Sequence, residues 1–372
     1  MADAKAATGL ADFGDESFKE GLSRLLASLQ NEVELSDAAA AQQVAAITRR
    51  LANRLQVEDW CRTHPEVAAV KVGPSVSITG LPRTGTTALA NILSLEDQFR
   101  CLRSWEQTQV TPPPVLGQDD QDPRRIAAVA NYERMMRERP EMKALHLWDA
   151  DTTEEDVELL GMSFRAQQFA LPLYTYHAWW RETDLTAAFA HHRRVIQVLQ
   201  SRRPPDRWLF KAPAHCYHLE AFMAAYPDAR VIMTHRDPAK AVPSAISFVS
   251  ALMPPAARVD PVELGRRNAE HLRVGVERAI AARKRLGEHR FFDLHHKEFV
   301  ADPMGSLERI YAFLDLELTP STRGKMEAWH AENRSGAHGV HRYTPEQFGL
   351  SAAQIRSDYD FYIKRFDVPL EG

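Results

Sequence analysis

The sequence predicts a three-layer α/β fold, in which a parallel sheet is flanked by helices on both faces. The prediction rests on the alternation of strand and helix patterns and on the length of the chain. Short apolar segments around Val76–Ile78, 207–211 and 229–234 have the pattern of buried strands, and each leads through a turn into a helical pattern. Strands that alternate with helices favour a parallel sheet, whose ligands bind beyond the carboxyl ends of its strands. With 372 residues, the chain is long enough to build a large core.

The beginning of the chain is predicted to be disordered at residues 1–15 and helical at residues 16–68. Apolar residues recur there at helical spacing in two runs, which are Phe18, Leu22, Leu25, Leu26 and Leu29, then Val44, Ile47, Leu51 and Leu55. We expect these amphipathic helices to pack on the core or to join two copies of the chain in a homo-oligomer. Because no repeat and no clear linker divides residues 16–372, they are expected to form one domain.

The first predicted strand leads into a candidate anion-binding loop, and a helix begins directly after it. The loop sequence is Gly80-Leu81-Pro82-Arg83-Thr84-Gly85-Thr86-Thr87. Unpaired N–H groups at a helix start bind anions, the threonine hydroxyls add donors, and Arg83 adds a fixed positive charge. The phosphate loop of ATPases has a lysine where Thr86 stands, so a phosphate-loop kinase or NTPase is a less favoured alternative.

Residues 120–200 are mainly helical in pattern and interrupt the strands of the sheet. The segment is rich in aromatic residues, which are Trp148, Phe164, Phe169, Tyr174, Tyr176, Trp179 and Trp180. Aromatic side chains commonly line small-molecule pockets, so we predict that this insertion is a cap over a small-molecule site. The alternative is that most of these side chains form the cores between helices.

Two further strand ends carry basic residues. One strand ends at Lys211, and Ala212-Pro213 then opens a helix predicted from about His215 to Tyr226. The next strand ends in His235-Arg236-Asp237-Pro238 and precedes a helix that carries Ser244. Because the strands are parallel, we expect Gly80, Lys211 and Arg236 to lie at the same edge of the sheet.

Taken together, these segments resemble the sulfotransferases that use 3′-phosphoadenosine-5′-phosphosulfate (PAPS), and the resemblance spans roughly residues 16–368. The loop at 80–87 is similar to their 5′-phosphosulfate loop, and Arg236 with Ser244 is similar to their 3′-phosphate motif. Residues 210–215, 298–303 and 341–350 are similar to segments of the bacterial branch. The resemblance implies a P-loop-like fold, PAPS as donor and 3′-phosphoadenosine-5′-phosphate (PAP) as product, with no metal required.

The resemblance also implies roles for individual residues. The residues that would hold the 5′-phosphosulfate are Arg83, Thr84, Gly85, Thr86 and Thr87. Arg236 and Ser244 would hold the 3′-phosphate, Lys211 would neutralise the bridging oxygen or the sulfuryl group, and Arg342 would contact the cofactor from the C-terminal signature. His296 stands where many relatives have a tyrosine, so its role does not carry over.

The general base that takes the acceptor's proton has several candidates. Glu106 follows the helix after the loop and sits where tyrosylprotein and heparan sulfotransferases have a catalytic glutamate, so it is the first choice. Glu154 and Glu155 open the insertion and come next, although acidic residues also stabilise a first helical turn. His215, a turn from Lys211, is the third candidate, and its alternative is a structural histidine at a helix start.

Composition narrows the class of protein. The net charge is −4 with both signs interspersed, so nothing indicates nucleic-acid binding. The chain has no run of eighteen apolar residues and no signal-peptide pattern, which predicts a cytoplasmic protein without a membrane span. Its histidines and cysteines lack the spacing of metal ligands, so no metal site is predicted. A protein of this fold that binds PAP without catalysis is the remaining alternative to an enzyme acting on a small-molecule acceptor.

Overall fold

The computed structural model describes residues 1–138, 149–333 and 343–372, and within them five parallel strands form one sheet. The strands are β1 (Ser75–Gly80), β2 (Phe99–Cys101), β3 (Arg207–Lys211), β4 (Arg230–His235) and β5 (Phe291–His295). Their spatial order is β2-β3-β1-β4-β5, so β1 is central and pairs with β3 on one side and with β4 on the other. The predicted α/β class with a parallel sheet is confirmed.

Helices surround the sheet throughout the described chain. They are α1 (Ala2–Thr8), α2 (Phe18–Glu32), α3 (Asp37–Thr63), α4 (Thr86–Leu93), α5 (Ser104–Thr108), α6 (Pro123–Glu138), α7 (Val157–Gly161), α8 (Tyr174–Glu182), α9 (Thr186–Gln200), α10 (Leu219–Ala225), α11 (Pro238–Leu252), α12 (Pro261–Leu286), α13 (His296–Ala301), α14 (Pro303–Phe313), α15 (Pro320–Glu332), α16 (Ala352–Asp358) and α17 (Asp360–Phe366). None of these helices is long and apolar enough to cross a membrane.

Successive strand residues point to opposite faces, and this alternation builds a core on each side of the sheet. Val76, Ile78 and Ile232 pack in one core together with residues of α4 and α14. Phe210 and Met233 pack in the other core with residues of α9 to α12. Every residue of β1 is buried, because helices cover both faces of its sheet. The result is the three-layer arrangement that the alternating strands and helices predict.

The prediction of disorder for residues 1–15 is wrong. Residues Ala2–Thr8 form α1, and both Ala4 and Phe13 are buried in the core. The buried Arg54 of α3 donates from its Nε atom to the carbonyl oxygen of Phe13 at 2.7 Å. A segment with few large apolar residues is therefore ordered by contacts with α3, which composition alone does not reveal.

The predicted N-terminal helices are present as α2 and α3. Leu22, Leu25, Leu51 and Leu55 are buried in the same core as the sheet, so these helices pack on their own chain. Leu26, one turn after Leu22, is half exposed at the edge of this buried face. A homo-oligomer formed through these helices stays a prediction.

Three of the seven predicted cap aromatics form a helix core. Phe164, Tyr176 and Trp180 are almost fully buried, and the Tyr176 hydroxyl donates to the carbonyl oxygen of Phe164 at 2.8 Å. Phe169, in contrast, lines a cavity described below. Trp148 lies outside the described residues.

The helix predicted from His215 to Tyr226 is interrupted. A 3₁₀ turn covers Pro213–Tyr217, and α10 begins only at Leu219. His218 breaks the helix with a φ of −139°. The strand β2 was not predicted, because three residues are too few to give a periodic signal.

Buried histidines should make the folded protein sensitive to mild acid. Burial, with Arg181 adding to it, lowers the pKa of His177 to about 4, and burial with Arg278 lowers that of His218 to about 3. Burial also holds the pKa values of His191 and His271 well below normal. Each histidine therefore binds a proton in the unfolded chain near pH 6.5 but not in the folded chain, so stability is lost as pH falls from 6.5 toward 4.

We expect the free energy of unfolding to drop by about 2–4 kcal/mol between pH 7 and pH 5, since each such group contributes up to about 1.4 kcal/mol per pH unit. Urea denaturation at both pH values measures this difference. His177→Gln should reduce this difference, whereas replacing the exposed His289 should not. An unchanged stability at pH 5 would contradict the prediction.

Candidate active site

Three strand ends meet at one edge of the sheet. Ile78 of β1 is in register with Lys211 at the end of β3, and Gly80 is in register with Thr234 near the end of β4. Arg236 directly follows β4. The loop after β1, Lys211 and Arg236 therefore lie together, as the parallel sheet predicts.

The loop from Gly80 to Gly85 has a backbone that most residues do not adopt. Gly80 has a φ of 134°, and a Cβ atom there would lie 2.4 Å from the Thr234 carbonyl oxygen. Arg83 and Gly85 have φ values of 68° and 94°. The helix α4 then begins at Thr86, and the N–H groups of its first turn have no acceptor within the helix. The local geometry is that of an anion-binding helix start.

Thr84 supports the loop with its side chain. Its hydroxyl is buried and lies 2.6 Å from both the Leu81 carbonyl oxygen and the Thr234 hydroxyl. The prediction that the Thr84 hydroxyl adds a donor for an anion is therefore wrong, because these contacts already engage it. Thr86 and Thr87 occupy the first two positions of α4, as predicted.

Two guanidinium groups and a hydroxyl gather beside the loop. Arg83 donates from Nε to the Ser244 hydroxyl at 3.2 Å, and its guanidinium lies over the ring of Phe248. Arg236 donates from Nη1 to the Arg83 carbonyl oxygen at 3.2 Å. Burial lowers the pKa of Arg83. The charge of Arg236 lowers it further, whereas that of Tyr343 raises it. Arg83 therefore links the loop to Ser244, a contact that its motif position does not reveal.

His296 lies beside the same loop. A Cβ atom on Gly85 would lie 3.3 Å from the His296 ring, so the ring borders the start of α4. Burial, assisted by the charge of Arg236, lowers the pKa of His296 to about 4. At neutral pH it is therefore an uncharged neighbour of the loop.

A cavity of about 370 Å³ opens next to this edge of the sheet. Its wall is largely apolar and includes Val157, Phe169, Ile246, Phe248, Leu252 and Leu272. The polar end of the cavity is formed by the loop residues Gly80–Pro82 together with Lys211, Glu154 and Glu155. The predicted cap contributes Val157 and Phe169 to this wall.

Lys211 and Glu155 form an ion pair at that polar end. The Nζ atom of Lys211 lies 3.1 Å from Oε1 of Glu155, and the lysine side chain is only 1% exposed. Glu155 is about a quarter exposed. A buried cation and a more accessible carboxylate thus face one cavity, beside the anion-binding loop.

A buried network fixes the position of Glu155 relative to Lys211. Asp156 accepts a hydrogen bond at 2.7 Å from Nε2 of His215, and the other His215 ring nitrogen lies 2.8 Å from the Ser77 hydroxyl. Glu155 thus contacts Lys211, and its neighbour Asp156 contacts His215, four positions after Lys211. The prediction of His215 as a base in the acceptor pocket is wrong, because both ring nitrogens are engaged and the ring lies outside the large cavity.

Glu106 also lies outside the cavity. Its side chain is buried, and Oε1 accepts a hydrogen bond at 2.6 Å from Nη2 of Arg100, itself buried. Its other oxygen accepts from the Arg103 backbone N–H at the start of α5. The prediction that Glu106 opens onto the acceptor pocket is wrong, because the carboxylate neutralises Arg100 and caps its own helix instead.

Arg342, predicted to contact the cofactor, lies outside the described residues. Within residues 1–138, 149–333 and 343–372, no group of three or more histidine, cysteine or acidic side chains is arranged to hold a metal ion.

Sequence reasoning missed Glu371, whose carboxylate contacts Arg236, since no motif marks it.

Comparisons with known proteins agree with this geometry. The model of the sulfotransferase family matches residues 74–320. The chain is similar to the crystal structure of sulfotransferase STF9 from Mycobacterium avium, at 30% identity and a TM-score of 0.90, over 99% of this chain and 96% of that one. It is also similar to sulfotransferase STF1 from Mycobacterium tuberculosis H37Rv, at 27% identity and a TM-score of 0.85, over 96% of each chain. A search of curated protein sequences gave no significant match.

Proposed function

The chain belongs to the sulfotransferase family, and from this premise we propose that it transfers a sulfuryl group from PAPS to a hydroxyl or amine of a small, apolar acceptor, with release of PAP. The observation that carries the proposal is the meeting of two features at one sheet edge. An anion-binding loop lies beside Arg83, Ser244 and Arg236, and it adjoins a cavity whose polar end holds Lys211 and Glu155.

The residues beside the loop fit a donor with two anionic ends. The N–H groups at the start of α4 suit the 5′-phosphosulfate, because a helix start attracts negative charge. Arg236 and Ser244 suit the 3′-phosphate. Arg83 belongs to the loop proposed for the 5′-phosphosulfate and contacts Ser244, so it would link the two phosphate sites. When bound, PAPS supplies the activated sulfuryl group.

The apolar cavity supports an acceptor that is itself largely apolar. Phe169, Phe248 and Leu272 would exclude water from the acceptor, whereas Lys211 and Glu155 meet the end that reacts. An acceptor of this kind would place its hydroxyl or amine at the polar end, next to the loop. The neutral wall gives no reason to expect nucleic acid as acceptor, and a cytoplasmic location stays a prediction.

We assign the proton transfer to Glu155 and the charge stabilisation to Lys211. Glu155 would take the proton from the acceptor hydroxyl while that oxygen forms its bond to sulfur. Lys211 would face the bridging oxygen, on which negative charge develops as its bond to sulfur breaks. Asp156 and His215 hold the two residues in place through their buried hydrogen bond. Glu154 lines the same cavity and is the second candidate for the base.

The nucleotide preference tests the donor assignment. PAP should raise the melting temperature more than ATP or ADP, because only PAP carries the 3′-phosphate that Arg236 and Ser244 suit. Arg236→Ala should weaken PAP binding by roughly 10- to 100-fold and leave the weak binding of ATP unchanged. Isothermal titration calorimetry measures both affinities, and Arg285→Ala, which removes an exposed arginine far from the loop, is the control.

The same experiments distinguish the proposed function from the two alternatives, a phosphate-loop kinase and a non-catalytic nucleotide-binding protein. Equal stabilisation by ATP and PAP, with magnesium-dependent turnover of ATP, would favour a phosphate-loop kinase. Tight PAP binding without transfer of label from PAPS to any acceptor in a metabolite extract would favour a non-catalytic nucleotide-binding protein. Transfer of label to an apolar hydroxyl compound is the result we expect.

A further inference from the structure

The arginine proposed to hold the 3′-phosphate already has an anionic partner in this chain. Nε of Arg236 lies 2.9 Å from Oε1 of Glu371, and Nη2 of Arg236 lies 3.1 Å from Oε2. Two parallel N–H groups thus meet two carboxylate oxygens, which is the fork by which a guanidinium also binds phosphate. Both side chains are about a quarter exposed, so a ligand can reach the pair.

The backbone of Glu371 is fastened at the same place. Its N–H donates to Oδ2 of Asp237 at 2.8 Å, and its carbonyl oxygen accepts from Nη2 of Arg356 at 2.6 Å. Asp237 is buried and caps α11, the helix that carries Ser244. The Glu371 carboxylate is therefore held at the proposed 3′-phosphate position by fixed neighbours and is not a chance contact of a long side chain.

The charge of Glu371 is maintained at neutral pH. Burial alone would raise the pKa of this carboxyl, but the hydrogen bonds and the charge of Arg236 outweigh burial and lower it. The pair consequently satisfies Arg236 as an ion pair in the absence of nucleotide. A 3′-phosphate that approached Arg236 would meet a negative charge at its binding position.

We propose that Glu371 is a built-in competitor of the donor: its carboxylate occupies the place of the 3′-phosphate on Arg236 and has to leave before a 3′-phosphorylated nucleotide binds. This inference rests on the proposed function. It implies that the apparent affinity for PAP is reduced by the fraction of molecules in which the pair is closed. A nucleotide without the 3′-phosphate does not need Arg236, so its affinity does not depend on Glu371.

The test compares PAP with 5′-AMP in the full-length protein and its Glu371→Gln variant. Glutamine keeps the size of the side chain and removes its charge, so PAP should bind roughly 3- to 30-fold more tightly to the variant. The affinity for 5′-AMP should stay within about twofold. Glu220→Gln is the matched control, because Glu220 forms a comparable two-point pair with Arg285, and it should change neither affinity.

Arg356→Gln provides a second variant, since it removes one backbone anchor of Glu371 and keeps the carboxylate. Because Arg356 also pairs with the buried Asp237, the melting temperature of this variant is measured alongside its PAP affinity. The variant should tighten PAP binding in the same direction, and less than Glu371→Gln does. If Glu371→Gln binds PAP no more tightly than the unmodified protein does, the inference is overturned. PAP binding by the unmodified protein would still support the proposed donor in that case. If the unmodified protein and the variant both fail to bind PAP at millimolar concentration, the proposed function and the inference fall together.

Discussion

Replacing Glu155 by glutamine should lower the rate of sulfuryl transfer by roughly 10²- to 10⁴-fold and leave PAP affinity within about twofold. Glutamine keeps the shape of the side chain but cannot take a proton from the acceptor. Glu155 lines the 370 Å³ cavity and lies 3.1 Å from Nζ of Lys211, so its carboxylate is close to the place where charge is proposed to move. Single-turnover transfer of label from PAPS, measured at saturating acceptor, isolates this step.

Two neighbouring carboxylates provide the controls for this experiment. Glu106→Gln breaks a buried ion pair with Arg100 and is expected to destabilise the fold by about 3–5 kcal/mol, while the molecules that stay folded keep their transfer rate. Glu154→Gln alters the same cavity without touching the Lys211 ion pair. If Glu154→Gln loses transfer and Glu155→Gln keeps it, the base is Glu154. If Glu106→Gln alone loses transfer per folded molecule, the assignment from cavity geometry is wrong.

The sheet could be predicted from the sequence because its signals are local. The central strand β1 is a continuous run of buried residues, and Gly80 and Gly85 mark the turn that follows it. Lys211 ends β3 and Arg236 directly follows β4, and the same reasoning finds both strands. Once the strands are taken as parallel, their ends must meet at one edge, so the positions of the loop and both basic residues follow without knowledge of side-chain packing.

The base could not be predicted in the same way, because its environment is set by distant residues. Glu106 pairs with Arg100, which is only six positions earlier but lies in β2, a strand of three residues that gives no periodic pattern. The distant carbonyl oxygens of Leu199 and Arg203 in turn hold Arg100 in place. His215 is held away from the large cavity by Asp156, which lies 59 positions earlier in the chain. Burial and charge pairing decide whether a carboxylate or an imidazole is structural or accessible, and both depend on such long-range contacts.

The contact between Arg236 and Glu371 illustrates the same limit, since 135 positions separate the two residues. A lone glutamate in the C-terminal segment carries no motif and resembles any exposed acidic residue. Only the folded chain shows that Asp237 and Arg356 fix its backbone next to Arg236. Motifs therefore identify the groups that suit a ligand, whereas the groups that compete with it emerge from packing.

Replacing Lys211 by alanine should lower kcat by roughly 10²-fold or more, with a much smaller effect on the affinity for PAP. The lysine is 1% exposed, so its charge acts through little water, and its effect on a nearby oxygen is strong. The negative charge on the bridging oxygen develops during transfer and is weaker in the ground state. Loss of Lys211 should therefore remove stabilisation mainly from the transition state.

Two comparisons separate this role from a structural one. Lys211→Met retains most of the buried volume without the charge, so it should lose transfer as severely as Lys211→Ala while melting closer to the unmodified protein. Lys325→Ala removes an exposed lysine paired with Asp97 and should leave kcat unchanged. If Lys211→Met weakens PAP binding by the same factor as it lowers kcat/KM and keeps kcat intact, Lys211 stabilises the bound donor equally in the ground and transition states. Full turnover by both Lys211 variants would mean that the ion pair with Glu155 only anchors the cap to the end of β3.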